Sequence, residues 1–246
     1  MIIRLPDEAE LWEAVAAIQV AQSQGATGID ICPGNVEVGP LLEMAGLSYI
    51  GPPTQGPKLD TARAFRMLGS TKSMYPEILA ATAGLDKKPI VPPQFPRIKI
   101  KPDETGGVIV TPFEVHESFR MPWTVWRAVI RHLRSYGVPV SLLGRRGQRA
   151  DYSNFTEGAI LSNLSVEEKL EALARSQFVM GVPNEWTWAA TAWGKKVGVL
   201  HPEDIPHDRW FGFATVPWSL GRILYSSSQI QIPPILAQLR HLISLM

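Results

Sequence analysis

The sequence contains one cysteine, Cys32, in 246 residues, so neither a disulfide nor a multi-cysteine zinc site can form within this chain. No apolar run approaches the ~20 residues needed to span a bilayer. An excess of either charge is also lacking. The 24 basic side chains nearly cancel the 23 acidic ones, which argues against bulk attraction to nucleic acid or an anionic membrane. The start, Met1-Ile-Ile-Arg-Leu-Pro-Asp-Glu, turns acidic where a signal peptide carries its apolar core, and a cytoplasmic location is expected. Walker loop, GxGxxG, HExxH and GxSxG patterns are all missing. The histidines (His116, His132, His201, His207 and His241) offer no metal-ligand spacing, even where His201 and His207 lie near Glu203, Asp204 and Asp208. No metal site is expected.

What remains is ordinary globular composition, 45% hydrophobic and 19% charged, with a strong internal asymmetry. From Met1 to Asp60 the only bases are Arg4 and Lys58, against eight acids. From Ser118 to Arg149 there is no acid but there are seven arginines. Two regions of opposite sign suggest two lobes with different roles. The proline-rich stretch Lys87–Arg97 should be extended and stiff, because proline fixes φ and removes ladder donors. It divides the chain into domains expected at 1–95 and 96–246.

Periodicity predicts a strand at Ile2–Leu5, a helix from about Glu8 to Gln24 stopped by Gly25, and a strand at Ile29–Cys32. Val38–Met44 and Ser73–Ala83 read as further helices. After the proline stretch come a strand at Gly107–Thr111, a helix from Pro122 to about Tyr136 and a strand at Val138–Leu143. Ser165-Val-Glu-Glu168 is a capping box opening a helix to about Arg175. Phe178–Gly181 is a strand, Glu185–Trp193 a short helix and Lys196–Leu200 a strand. Strand and helix alternate throughout, so the fold class is α/β with two Rossmann-like halves and parallel sheets.

Open α/β sheets bind ligands beyond the carboxyl ends of their strands. The loops expected there are Thr111–Arg120, Gly144–Arg149, Gly181–Glu185 and His201–Pro206. They supply arginines, glycine-flanked N–H groups and a helix start, the ingredients of an anion or diphosphate site. The competing reading is that such loops are polar in any Rossmann-like domain.

In order, these pieces are Thr111-Pro112, Arg120-Met-Pro-Trp123, Leu143-Gly-Arg-Arg-Gly147, Leu164-Ser-Val-Glu167, Gly181-Val-Pro-Asn-Glu-Trp-Thr-Trp188 and Leu200-His-Pro-Glu-Asp-Ile-Pro206. The segment Val108–Phe211 thereby resembles the donor-binding domain of the heptosyltransferase-like glycosyltransferases, glycosyltransferase family 9. The resemblance implies a GT-B-like fold, two Rossmann-like domains with parallel sheets facing a cleft. Residues 1–95 would form the acceptor side and 96–246 the nucleotide-sugar side. It further implies donor contacts from Thr111, Pro112, Arg120, Gly144, Arg145, Arg146, Glu167, Asn184 and Glu185, with Glu167 holding the ribose. Ile2-Ile-Arg-Leu5 matches the family's opening strand, which puts Glu10 at the catalytic carboxylate, with Asp7 as the alternative. Both could equally be first-turn acids favoured by a helix dipole. The chain departs from the pattern where Asp-(Ser/Thr)-Gly becomes Pro183-Asn184-Glu185 and a histidine becomes Trp188. Glu185 adds bulk and negative charge there, or else bonds a ribose or sugar hydroxyl with Asn184 capping the helix; Trp186 and Trp188 read as core, with stacking on a base or sugar as the alternative.

The expected activity is inverting, metal-independent transfer of a sugar from a nucleotide-diphosphate donor to an acceptor hydroxyl. No cofactor is expected, the nucleotide sugar being a co-substrate. The acceptor is open: a glycan, a small molecule or a modified nucleic acid. The alternative is a non-catalytic GT-B-like binding or scaffold protein that has lost the transferase site. A third reading is an epimerase or hydrolase of sugar nucleotides, since fold does not fix function.

Overall fold

The computed structural model describes residues 1–6, 9–30, 36–50, 56–67, 75–86, 91–99, 107–113, 120–145, 159–203, 221–226 and 228–244. The chain divides into two compact units, Met1–Lys99 in the first and Ile100–Pro206 with Ala214–Met246 in the second.

The first unit runs β1 (Ile2–Arg4), α1 (Leu11–Gln24), β2 (Gly28–Asp30), α2 (Val38–Met44), β3 (Ser48–Ile50), α3 (Thr61–Met67) and α4 (Tyr75–Thr82). Its three strands pair in parallel in the order β1-β2-β3, as right-handed βαβ crossovers favour. Every residue of α1 from Leu11 to Ala21 is buried except Glu13, and alanines at 14, 16, 17 and 21 allow close packing against α2 and α4. Gly25 closes α1 in the left-handed conformation, φ 65°, donating its N–H to the carbonyls of Ala21 and Gln22. The expected strand at Ile29–Cys32 is described as Gly28–Asp30, and Ile31 and Cys32 lie outside the described residues.

Within the proline-rich stretch, the described part from Val91 is strapped onto α1. Gln19 donates to the Val91 carbonyl at 2.7 Å. Gln22 exchanges bonds with the Gln94 backbone, at 2.8 and 2.9 Å. Phe95 and Ile98 are buried, so this segment belongs to the packing of the unit and does not act as a bare spacer.

Tyr75 opens α4, fully buried, with its ring 5.0 Å from that of Trp12. Its hydroxyl finds no hydrogen-bond partner among the described residues. Burial, and then the Glu13 and Asp60 carboxylates, push the phenol far above its ordinary range. Tyr75→Phe removes that unsatisfied group while keeping the ring, so stability should hold or rise by about 1 kcal/mol in urea denaturation. A clear loss would reveal a partner that the hydroxyl needs.

The second unit runs β4 (Val108–Thr111), α5 (Trp123–Arg134), β5 (Val140–Leu142), β6 (Ala159–Ile160), α6 (Val166–Arg175), β7 (Phe178–Gly181), α7 (Glu185–Ala190), β8 (Lys196–Pro202), β9 (Gly221–Tyr225) and α8 (Ile232–Ser244). Its six strands are all parallel, in the order β6-β5-β4-β7-β8-β9. That is the doubly wound Rossmann order, with the chain reversing its direction of travel between β4 and β7. Helix α5 buries Val125, Trp126, Val129, Ile130 and Leu133, while Arg127, Arg131 and Arg134 are exposed. Part of the arginine-rich region therefore forms a solvent face and not a strand-end loop.

The capping box of α6 forms as expected. Glu168 N–H donates to Ser165 Oγ at 3.2 Å, and Ser165 N–H donates to Glu168 Oε2 at 2.8 Å. The Ser165 backbone bond, and then its hydroxyl, hold the Glu168 carboxyl below its ordinary value. A lowered folded-state value means that the cap stabilises above the unfolded Glu pKa of ~4.3 and fades as pH falls through the folded one. Glu168→Gln should therefore cost stability at neutral pH, and the urea-stability curves of variant and wild type should converge in acid. Parallel curves down to low pH would contradict this.

Candidate functional site

The switch point lies at the carboxyl ends of β4 and β7, where Thr111 and Gly181 are paired in register. Glycine is required at 181. A Cβ there would collide with Thr111 Oγ1 and come within 2.7 Å of the Thr111 carbonyl and 2.8 Å of Thr187 Cγ2. Because the neighbour is the backbone of the paired strand, Gly181→Ala should cost about 1–3 kcal/mol. A wild-type urea midpoint for that variant would show that the strands can yield. Thr111 itself is fully buried, and its hydroxyl has no hydrogen-bond partner among the described residues.

Asn184 organises the switch point. Its Oδ1 accepts the N–H groups of Trp186 and Thr187, both at 3.0 Å, and so caps α7. Its Nδ2 donates to the carbonyls of Thr111 at 3.1 Å and Phe113 at 2.9 Å, tying α7 to the end of β4. Thr187 Oγ1 accepts the Asn184 N–H at 3.1 Å, which completes a reciprocal cap. Thr187 was not among the expected site residues, although the Asn-x-x-Thr spacing is a capping signal.

Glu185, the first residue of α7, is buried, and its carboxylate meets Arg145 beyond β5. Arg145 Nε donates to Oε1 at 2.9 Å and Nη2 approaches Oε2 at 3.5 Å. The Arg145 side chain keeps 26% exposure while that of Glu185 keeps 4%, so the pair spans the boundary between interior and solvent. A carboxylate held there without a cation would be strongly unfavourable.

Thr111, Arg145, Asn184 and Glu185 are thus brought together. Pro112 and Gly144 are buried on the same strand ends. Arg120 is exposed just before α5 and Glu167 is exposed in the first turn of α6, neither with a hydrogen bond or ion pair among the described residues. Arg146 and Asp7 lie outside the described residues, as do Asp204, His207 and Asp208. Trp186 and Trp188 are fully buried, as a core role requires, and Lys169 Nζ of α6 sits 5.1 Å from the Trp186 ring centroid. His201 is buried, with Nδ1 2.8 Å from the Pro202 carbonyl. Among the described residues no group of His, Cys, Asp and Glu is arranged to hold a metal ion.

In the first unit, Glu10 is the N-cap residue of α1, exposed beyond the carboxyl end of β1. Glu13 Oε2 accepts its backbone N–H at 2.7 Å. Asp30, at the end of the neighbouring β2, is a buried carboxylate that the sequence did not single out. It lies 3.4 Å from Arg4 Nε.

The chain has a two-lobed α/β architecture with parallel sheets, resembling the GT-B fold. No protein-family profile and no curated protein sequence matches it. Solved structures do. The E. coli heptosyltransferase WaaC with ADP is 9% identical, with a TM-score of 0.68 over 98% of this chain and 100% of that one. E. coli ADP-heptose lps heptosyltransferase II is 12% identical, with a TM-score of 0.59 over 100% and 99%. The bacterial iron-containing dodecameric glycosyltransferase TibC from E. coli is 15% identical, with a TM-score of 0.60 over 89% of this chain and 61% of that one.

Proposed function

We propose that the chain is an inverting, metal-independent glycosyltransferase that moves a sugar from a nucleotide-diphosphate donor to an acceptor hydroxyl. The observation that supports this most is the switch point between β4 and β7, where Thr111, Arg145, Asn184 and Glu185 are brought together. The likeness in fold to heptosyltransferases over nearly the whole chain supports it as well.

In the proposed reaction the acceptor oxygen forms a bond to the anomeric carbon as the bond from that carbon to phosphate oxygen breaks. The electron pair leaves with the nucleoside diphosphate. The acceptor proton passes to the carboxylate of Glu10, with Asp7 as the alternative base. Arg120 is the cation assigned to the departing diphosphate, because Arg145 already faces Glu185. Arg146 would assist it, Thr111, Pro112 and Gly144 would line the donor site, and Glu167 would take the ribose. No cofactor enters the scheme, and a cytoplasmic protein fits the lack of any described helix long and apolar enough to cross a membrane.

A second reading has its own support. The N–H groups of Trp186 and Thr187 already bond Asn184, and Glu185 is already paired, so α7 offers a diphosphate less than a glycine-rich helix start would. This favours a binding or scaffold protein on the same fold. The test is a transfer assay with nucleotide sugars and a panel of glycan acceptors in excess EDTA, with product configuration read by NMR. Inverted product supports the transferase. Donor binding without any product favours the scaffold.

A further inference from the structure

Beyond the carboxyl ends of β8 and β9, away from the switch point, the second unit holds a cavity of about 250 Å³. Its polar lining consists of Glu203, Tyr225, Ser226, Gln229, Gln231 and Gln238, and α8 adds an apolar side through Pro234 and Ile235. The site is held by backbone bonds. Glu203 N–H donates to the Tyr225 carbonyl at 2.9 Å, extending the β8–β9 pairing by one step, and Gln229 N–H donates to the Ser226 carbonyl at 3.3 Å. The first bond sets Glu203 against the end of β9, and the second holds Gln229 to Ser226.

The chemistry of this lining is narrow. A carboxamide carries both donors and an acceptor, the Ser226 hydroxyl shares a hydrogen bond of 2.9 Å with the Ser228 hydroxyl, and the carboxylate accepts only. Among the described lining residues there is no lysine, arginine or histidine, so those residues offer a phosphate or nucleoside diphosphate the Glu203 carboxylate and no cation to balance it. The one carboxylate among the described lining residues is too few for a hard cation, which needs about six oxygen ligands. The volume lies below the ~300–1,000 Å³ of sites that enclose drug-sized ligands and suits an occupant of about one small ring. A neutral group with several adjacent hydroxyls and an apolar face satisfies all of these constraints.

We infer that this cavity is a binding site for a single neutral sugar ring. All six strands are parallel, so the cavity opens at the same edge of the sheet as the switch point. Two strand spacings separate β9 from β7, roughly 10 Å. The inference stands apart from the transferase proposal, because a chain that binds no nucleotide can still hold a sugar there. The ring belongs either to a nucleotide-linked donor or to the end of a glycan.

Saturation-transfer NMR on the full chain tests this with D-glucose, D-galactose, D-mannose and N-acetyl-D-glucosamine, and with ADP as the charged control. Sugars at about 10 mM stand tenfold above a dissociation constant of ~1 mM. Saturation of the ring protons of at least one sugar is expected, with a loss of about tenfold in affinity when Gln229→Ala and Gln231→Ala are combined. Both side chains are exposed, so the fold should survive, and Gln238→Trp, which fills the space, supplies an independent block. Displacement of the bound sugar by a nucleotide sugar that carries it, but not by ADP, assigns the site to the donor. Displacement by an oligosaccharide ending in it, and not by the nucleotide sugar, assigns the site to a glycan. No saturation from any of the four sugars, or saturation unchanged in both variants, overturns the inference. Failure of the transferase proposal would leave either result standing.

Discussion

Asn184→Ala is expected to lower stability by about 3–4 kcal/mol, a large fraction of the ~5–15 kcal/mol that holds a typical domain together. The estimate is built from the bonds that are lost. Removing a cap oxygen costs about 0.5–2 kcal/mol, and here it strands the N–H groups of Trp186 and Thr187. The carbonyls of Thr111 and Phe113 lose a buried donor as well, and a buried polar group left unsatisfied costs roughly 1–3 kcal/mol. Thr111 O keeps the Val182 N–H at 3.3 Å, so the two losses are unequal. Asn184→Thr restores a cap oxygen without the donors and should fall between wild type and alanine. Asn184→Asp is nearly the same shape and keeps the cap oxygen, yet it replaces the doubly donating Nδ2 with a carboxylate oxygen facing two carbonyl oxygens. It should therefore be at least as damaging as alanine. Urea denaturation of the three variants gives the order. Asp as mild as Thr would mean that the donated bonds contribute little and that capping alone explains this residue.

Glu10→Gln is expected to reduce kcat by about 10²–10⁴, the usual contribution of a general base. The substitution keeps size and hydrogen-bonding capacity but cannot take a proton. Glu13 still accepts the backbone N–H of residue 10, so the start of α1 and the stability of the first unit should change little. Donor affinity should also be unaffected, since the proposed diphosphate contacts come from other residues. Loss of kcat with unchanged donor binding and an unchanged melting midpoint is the signature of a base. Wild-type kcat in Glu10→Gln with a collapse in Asp7→Asn would transfer the role to Asp7. Wild-type turnover in both variants would mean that Glu10 is an ordinary exposed helix-cap residue.

Much of the architecture is written locally. Gly25 ends α1, Pro122 precedes α5, and Ser165 with Glu168 opens α6, because each acts through bonds or angles within a few residues. Val38–Met44 is a helix with the expected bounds. Elements that defied sequence reading had weak or misleading local signals. β6 is two residues long and too short to show alternation. β9 has no such excuse of length, but Gly221-Arg-Ile-Leu-Tyr225 shows no clear alternation. α8 carries Pro233 and Pro234, which suggest a breaker but sit in the first turn, where proline is tolerated. α3 did have a signal, the Asp60 side chain accepting the Arg63 N–H at 2.7 Å.

The site was legible as a set of residue types and not as a set of contacts. The capping asparagine at 184 follows from local chemistry, whereas the glycine at 181 is required by the paired strand at Thr111. The Arg145–Glu185 pair does not, because it depends on the strand order that sets β5 beside β4 and β4 beside β7. No spacing rule reveals that two residues separated by two strands and a helix will neutralise each other. The same pairing shifts the weight of the proposed diphosphate recognition onto Arg120, and this makes Arg120 the residue on which to test the proposal.

The most direct test is calorimetric titration of the intact chain with ADP, UDP and GDP in EDTA, repeated on Arg120→Ala. The account predicts measurable binding of at least one nucleoside diphosphate, weakened about tenfold or more in the variant, as removal of a charge-assisted contact worth ~1.5–3 kcal/mol requires. Binding of none of the three, or binding that Arg120→Ala leaves unchanged, would contradict it.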